Sequence, residues 1–532
     1  MTEKKTISLT VNPGDVTGGL TAYLAERGIY VPADCGGRGK CGRCRVRFLS
    51  GAPAPTEEDR SVFNEDSLKA GWRLACRAVL SETAELLAET GAEEQIAAET
   101  AFRSCPDGEG TSGKPYPAAS GGTAGTEMSR PVSVVSSGFN VPADGGVPVL
   151  AVDLGTTTIA ATLLYAENGQ IQKRTASCVN HQRAFGADVI SRIAAAGEGQ
   201  ADTLREVVLS DLADLAGKLG IPAADFADPG KLKIVISGNT TMQHLLQGLS
   251  CATLGVAPYT PVDISLRTVG NMTYLPGIST YVGADIVSGA AACHMDTSDD
   301  VTLLVDLGTN GEMILGKKGH FLCASTAAGP AFEAGNISCG MAGVPGAVTS
   351  VEILGGRPIL KTIGGLPAAG LCGTGVLETV YELLKEELID ETGLLDEAYF
   401  ETGYPLSKDV VFTAKDVREV QLAKSAVRAG AEVLLDEYGI SYGDVAHVWL
   451  AGGFGQRLNA AKAVGIGLLP EELAAKIVPV GNSSLAGAVL FAENADVRER
   501  FAGIAADAEE VALASDRRFN DLFMEHMLFP EM

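Results

Sequence analysis

Short apolar runs alternate with longer helical patterns over most of this chain. Near the start, ISLTV (7–11) and the alternating RVRFLS (45–50) read as strands, and LACRAVL (74–80) as a third. Between the first two, TGGLTAYLAERG (17–28) reads as a helix capped by Thr17 and stopped by Gly28. Beyond residue 147 the strands are VPVLAVDL (147–154), LKIVISG (232–238), VTLLVDLG (301–308) and HVWLAGG (447–453). Helical patterns such as ADTLREVVLSDLADLAGKLG (201–220) and KDVREVQLAKSAVRAGAEVLLDEYG (415–439) separate them. That alternation predicts an α/β fold in layers.

The pattern lapses over residues 92–147, where SCPDGEGTSGKPYPAASGGTAGTEMSRP is rich in Gly, Ser, Thr and Pro. Such a stretch buries too little apolar surface to order itself, so a mobile linker is expected there. The chain therefore divides at 1–91, 92–147 and 148–532. AVDLGTTTIA (151–160) and LVDLGTNGEM (304–313) share VDLGT in one strand-then-turn context, which suggests two related lobes, about 148–297 and 298–532.

Composition narrows the function. The chain has 532 residues, 46% of them hydrophobic and 20% charged, with 64 glycines, a globular composition large enough for about three or four domains. No apolar run reaches the roughly eighteen residues of a membrane span, and MTEKKTISLTV lacks a secretory signal, so a cytoplasmic protein is expected. A net charge of −25 argues against nucleic acid or an acidic membrane as partner. In that compartment eleven cysteines point to metal binding or buried thiols rather than disulfides.

The chemistry concentrates in two places. DCGGRGKCGRCRV (34–46) places Cys35, Cys41 and Cys44 on one loop, with Cys76 farther along. The first gap is one residue longer than in the plant-type [2Fe-2S] spacing. Gly36, Gly37, Gly39 and Gly42 allow backbone N–H groups to turn toward sulfur. Arg38, Lys40 and Arg43 add positive charge beside an anionic cluster, or face an electron donor or acceptor. A zinc site would more often pair two short knuckles, and a Cys41–Cys44 redox pair lacks its usual βαβ context. The spacing thus favours a cluster over zinc or a dithiol. Cys105, Cys178 and Cys372 show no ligand spacing.

The second place is built on aspartates at strand ends. Asp153 precedes Gly155, Thr156, Thr157 and Thr158; Asp306 precedes Gly308, Thr309, Asn310 and Gly311. A carboxylate there can hold hydrated Mg²⁺, the glycine admits phosphate to the backbone, and hydroxyls and N–H groups bind its oxygens. AGGFG (451–455) supplies Gly452, Gly453 and Gly455 for a base or ribose. GLCGTG (370–375) supplies Gly373, Thr374 and Gly375 at a helix start suited to an anion. No GxxxxGK[ST] motif is present, which sets aside a P-loop ATPase. His244 and His294 lack ligand spacing, Trp72 and Trp449 read as core, and Asn239, Asn310 and Glu312 line a cleft or cap helices.

The first ninety residues resemble a [2Fe-2S] ferredoxin of β-grasp fold. Two aspartate turns followed by AGGFG resemble the two-lobed ATPase fold of actin, sugar kinases, acetate kinase and the seventy-kilodalton chaperones. That likeness implies that Asp153 and Asp306 position Mg²⁺ and water and that Gly452 and Gly453 border adenosine. The combination resembles the reductive activators of corrinoid proteins, as do SGNTTMQHLLQG (237–248), YVGADIVSG (281–289), ASTAAGPAFEAGNISCGM (324–341), AKSAVRAG (423–430) and PVGNSSLAGA (479–488). The resemblance implies ATP-dependent, one-electron reduction of a corrinoid protein from Co(II) to Co(I), serving a methyl-transfer system such as an O-demethylase. It further implies a low-potential electron donor, unidentified here, and allows a homodimer. The competing readings are an activator of another low-potential enzyme, a small-molecule kinase with a redox-regulatory ferredoxin, and a chaperone-like ATPase.

Overall fold

The computed structural model describes residues 6–16, 19–31, 33, 37–89, 146–452, 458–494 and 497–532. The expected linker lies outside them up to residue 145, as does Cys105.

The N-terminal region is a four-stranded antiparallel sheet in the order Thr6–Val11, Ala84–Glu89, Arg45–Ser50, Trp72–Leu74. The strand Ala84–Glu89 is central, and Ala84, Leu86 and Ala88 point into the core. The helix Leu20–Ala25 packs Leu20, Tyr23 and Leu24 against Val46, Phe48 and Leu86. Two expectations change. Gly19 occupies the helix N-cap, without a side-chain cap, while Thr17 lies outside the described residues. The third strand stops at Leu74: the N–H groups of Arg77 and Ala78 both return to the Leu74 carbonyl, so Cys76 sits in a tight turn. Ala75 N–H donates to the Cys44 carbonyl at 2.7 Å, which holds that turn against the cysteine loop.

The remainder holds two six-stranded sheets of matching design. In the first, Val149–Leu154 runs antiparallel to Thr158–Glu167 and parallel to Lys233–Gly238. In the second, Thr302–Leu307 runs antiparallel to Gly311–Lys317 and parallel to His447–Gly452. Each outer side continues antiparallel, to Gln170–Val179 and to His320–Thr326. The shared VDLGT therefore marks two copies of one strand-and-hairpin unit. Its aspartate is the fifth residue of a six-residue strand in both.

Helices cover the outer faces. Ala201–Lys218 lays Leu204, Val208, Leu212 and Leu215 on the first sheet. Ala414–Tyr438 covers the second; Thr413 and Asp416 form its capping box, and Gly439, at φ +77°, ends it. The helices Ala284–Ala292 and Ser483–Glu493 meet in the apolar seam that joins the two sheets, with Trp449 in the same cluster. A Cβ on Gly487 would come within 2.2 Å of the Ser288 carbonyl oxygen, so only glycine allows this approach.

Candidate functional site

At the cysteine loop, Cys35 lies outside the described residues. Cys44 is buried, at 1% exposure, and Cys41 and Cys76 are half-buried. The turn at Cys76 brings its thiol onto Cys44. That hydrogen bond is the main reason the Cys44 thiol falls to about 7; burial opposes it, and the N–H groups of Cys76, Cys44 and Ala75 add to it. Gly37, Gly39 and Gly42 are left-handed, at φ +77°, +74° and +66°. A Cβ on Gly42 would also meet Val62 at 2.9 Å. A glycine loop whose thiol meets one from a neighbouring turn, beside converging N–H groups, fits a thiolate-held cluster. Arg38, Lys40 and Arg43 are exposed around it.

The two aspartate turns meet between the sheets. Thr157 Oγ1 and Thr309 Oγ1 are 3.5 Å apart, and Thr309 donates to Glu333 Oε2 at 2.7 Å. Asp153 accepts hydrogen bonds from Asn482 Nδ2 at 2.8 Å and Ser484 Oγ at 2.7 Å, at the start of the helix Ser483–Glu493. Behind Ser484 runs a file of buried hydroxyls: Ser237 Oγ lies 2.9 Å from Ser484 Oγ and 2.8 Å from Ser288 Oγ.

The first turn is braced from below. Asn180 donates its amide to the Gly155 carbonyl at 2.9 Å and its N–H to the Thr157 carbonyl at 3.0 Å. Arg192, wholly buried, donates to the Thr156 carbonyl at 2.6 Å; burial lowers its guanidinium to about 9. Asn239 donates to Thr156 Oγ1 at 3.0 Å. Gly155 is required by the turn itself, because its Cβ would lie 2.6 Å from the Thr158 carbonyl. Thr158 already belongs to the next strand.

The second turn has different surroundings. Asp306 stands opposite Glu312 in the ladder. Asn310 donates to Glu312 Oε1 at 3.2 Å, and Gly311 is buried beneath. A Cβ on Gly308 would meet only the Asn310 carbonyl, at 3.8 Å, so backbone access is open here rather than at Gly155. Asp153, Asp285, Asp306, Glu312 and Glu333 form one acidic group. Burial is the first cause raising all five. Asp153 then helps push Asp285 up to about 7, while Asp285, Asp153 and Glu333 press Asp306 well above the usual range. The donor set is all oxygen, and its raised carboxyls would be relieved by positive charge, which fits hydrated Mg²⁺ carried by a phosphate ligand.

Gly452 adopts φ +118°, and its Cβ would strike the Leu307 carbonyl at 2.2 Å, so this turn is pressed against the Asp306 strand. Gly453 and Gly455 lie outside the described residues. Gly373, Thr374 and Gly375 are buried, and a Cβ on Gly375 would reach the Val348 carbonyl at 2.2 Å. Packing on the sheet requires glycine at 375. His244 is buried and structural, bonded to the Thr240 carbonyl and to the Val262 N–H.

Asp285, Glu333, Asn482 and Ser484 stand in no motif that marks them from sequence alone. One available signal was a second echo: Gly238-Asn239-Thr240-Thr241 and Gly481-Asn482-Ser483-Ser484. Each asparagine caps a helix, accepting from Met242 or Leu485 N–H, and turns its amide onto the first aspartate turn.

Comparison with known proteins fits this architecture. Residues 2–81 match the family model of the 2Fe-2S iron-sulfur cluster binding domain, 149–298 the RACo middle region, and 300–532 the C-terminal domain of RACo, the ASKHA domain. The fold is thus a ferredoxin domain joined to an actin- and sugar-kinase-like α/β body. Corrinoid activation enzyme RamQ of Eubacterium limosum is 31% identical over 71% of this chain and 70% of its own length. The reductase of the Co(II) methylated amine-specific corrinoid protein of Methanosarcina barkeri is 32% identical over 47% of this chain and half of its own length, 50%. A solved structure of a reductive activator for corrinoid, iron-sulfur protein superposes with a TM-score of 0.67 at 25% identity, covering 98% of this chain and 96% of that one. The chain belongs to the family of reductive activators of corrinoid proteins. No helix among the described residues is long and apolar enough to cross a membrane.

Proposed function

We propose that this activator couples ATP in the cleft to one-electron reduction of its corrinoid partner from Co(II) to Co(I), the electron passing through the [2Fe-2S] cluster. The observation that carries this reading is the meeting of two phosphate-type turns over five buried carboxyl groups, three of which, Asp285, Asp306 and Glu312, are raised further by their acidic neighbours, in a chain that also holds the cysteine loop. Asp153 and Asp306 would hold Mg²⁺ and the attacking water, and Gly452 would border adenosine. Mg²⁺ would supply positive charge against the phosphates. The name of the Methanosarcina relative, which specifies a Co(II) corrinoid protein, supports the oxidation state.

The energetic need is clear. Each ~59 mV of uphill one-electron transfer reduces the product ratio about tenfold. Moving a two-state equilibrium from 1:99 to 99:1 takes about 5.5 kcal/mol, within reach of a nucleotide-driven cycle. A low-potential donor reloads the cluster, and the corrinoid protein serves a methyl-transfer system such as an O-demethylase. The reading includes a cytoplasmic location and allows a homodimer.

The test follows the corrinoid by visible absorption with reductant, activator and ATP, ADP or no nucleotide. Co(I) should accumulate only with ATP and activator. Equal rates without ATP would remove the ATPase from the reaction, and a lack of reduction with every corrinoid protein tried would remove the cobalt.

A further inference from the structure

Among the described residues, the ferredoxin domain meets the rest of the chain through Tyr30 and the helix Leu20–Ala25. Tyr30 stacks on His181, with ring centroids 4.1 Å apart and planes 25° from parallel. Asp211 holds His181 from behind, accepting its backbone N–H at 2.9 Å and lying 2.5 Å from Nδ1. Beside this pair, Ala22 and Ala25 are 5% and 3% exposed and enter the apolar cluster of Phe185, Leu204 and Leu212. The opposite face of their helix, with Leu20 and Leu24, lies in the ferredoxin core with Cys44. One short helix is therefore buried from two sides, and its small alanines permit close approach to the ATPase body.

The position of His181 gives this contact a consequence. It directly follows Asn180, which braces the carbonyls of Gly155 and Thr157. Gln182 lies 3.4 Å from Arg192, which braces Thr156. One short turn, His181–Ala184, thus serves the ferredoxin on its outer side and the first aspartate turn on its inner side.

We propose that the surface formed by His181, Asp211 and the helix Ala201–Lys218 is a docking port for the chain's own ferredoxin domain, keyed by Tyr30, and that docking and nucleotide binding are coupled through Asn180. The coupling rests on the nucleotide reading above; the port does not. Coupling between two sites is reciprocal, so a ferredoxin that leaves the port weakens nucleotide binding by the factor with which nucleotide favours docking.

The test uses the full chain with its cluster loaded, the cluster spectrum confirming that each variant's ferredoxin domain is folded. Hydrogen exchange is measured for wild type, Tyr30→Ala, His181→Ala and the double variant. Each single variant should speed exchange at least threefold in both Leu20–Ala25 and His181–Ala184, and the double variant should add nothing. Unchanged exchange in the partner segment, or additive effects, overturns the port. Calorimetry with a non-hydrolysable ATP analogue should show at least threefold weaker binding to Tyr30→Ala; equal affinity overturns the coupling. If wild type binds no analogue, the nucleotide reading and the coupling fall together, while the exchange result still decides the port.

Discussion

The two VDLGT turns share a backbone and differ in almost everything around it. Both oxygens of Asp153 accept from neutral donors, Asn482 and Ser484, and its turn is tied down by Asn180, Arg192 and Asn239. Asp306 faces Asp285, Asp153 and Glu333, and no donor among the described residues reaches its carboxylate. One carboxylate is already solvated by protein; the other still needs a proton or a cation. The two copies therefore share a frame, and the residues lining each one differ in kind: a rigid anchor on one side and an open charge on the other.

The strongest test removes each aspartate. Asp153→Ala and Asp306→Asn should each slow ATP-dependent reduction by about 100-fold or more, the scale of losing a preorganised electrostatic group. Their effects on nucleotide-free stability should have opposite signs. Asp153→Ala leaves two buried donors unpartnered and should destabilise by about 2 kcal/mol. Asp306→Asn removes charge repulsion and should raise the melting temperature. Calorimetric shifts of the same sign would break the contrast.

A buried cation in each lobe sharpens it. Arg192 supports the first turn, whereas Lys424, 1% exposed, donates to the Leu528 carbonyl and holds the chain's end. Arg192→Met should weaken nucleotide binding about tenfold, losing charge-assisted bonds of roughly 1.5–3 kcal/mol. Lys424→Met should leave nucleotide affinity unchanged; titration calorimetry compares the two.

Lys424 also predicts a pH dependence. Burial lowers it to about 7, below its ordinary value near 10.4. Between those values the unfolded chain binds the extra proton, so stability should rise with pH from about 7 to about 10, by at most about 1.4 kcal/mol per unit. Urea unfolding across that range should lose this slope in Lys424→Met. The smallest effect is expected from Ser484→Ala, which removes one of two donors to Asp153: about threefold in rate and roughly 1 kcal/mol in stability.

Strand-and-helix alternation and the repeated pentapeptide made the two lobes and both aspartates legible, because those features follow from local periodicity. AELLAE, the central ferredoxin strand, carries no strand signal: it has no β-branched residue and is held by its two neighbours. LACRAVL looked like a strand by apolarity, yet its second half turns to meet Cys44. Asp285, Glu333, Asn482 and Ser484 come from separate segments without a local signature, and only the packing of the two lobes brings them together. Gly155, Gly375 and Gly452 show the converse: each read as a ligand-facing glycine, and each is also demanded by a neighbouring carbonyl.

The hydroxyl file behind Asp153 has a directional property. Each serine carries a single hydroxyl proton. While Asp153 is ionised, Ser484 points its proton at the carboxylate, so the 2.9 Å contact beyond it is made by Ser237 donating to Ser484. Ser288 then loses the Ser237 proton that its 2.8 Å separation would otherwise receive. The charge state at the cleft thereby bears on the orientation of a buried row of dipoles that reaches the helix Ala284–Ala292, the element carrying Asp285. Neutralising Asp153 would lift that constraint and let Ser237 turn its proton to Ser288 or to the Ala284 carbonyl, 3.2 Å away.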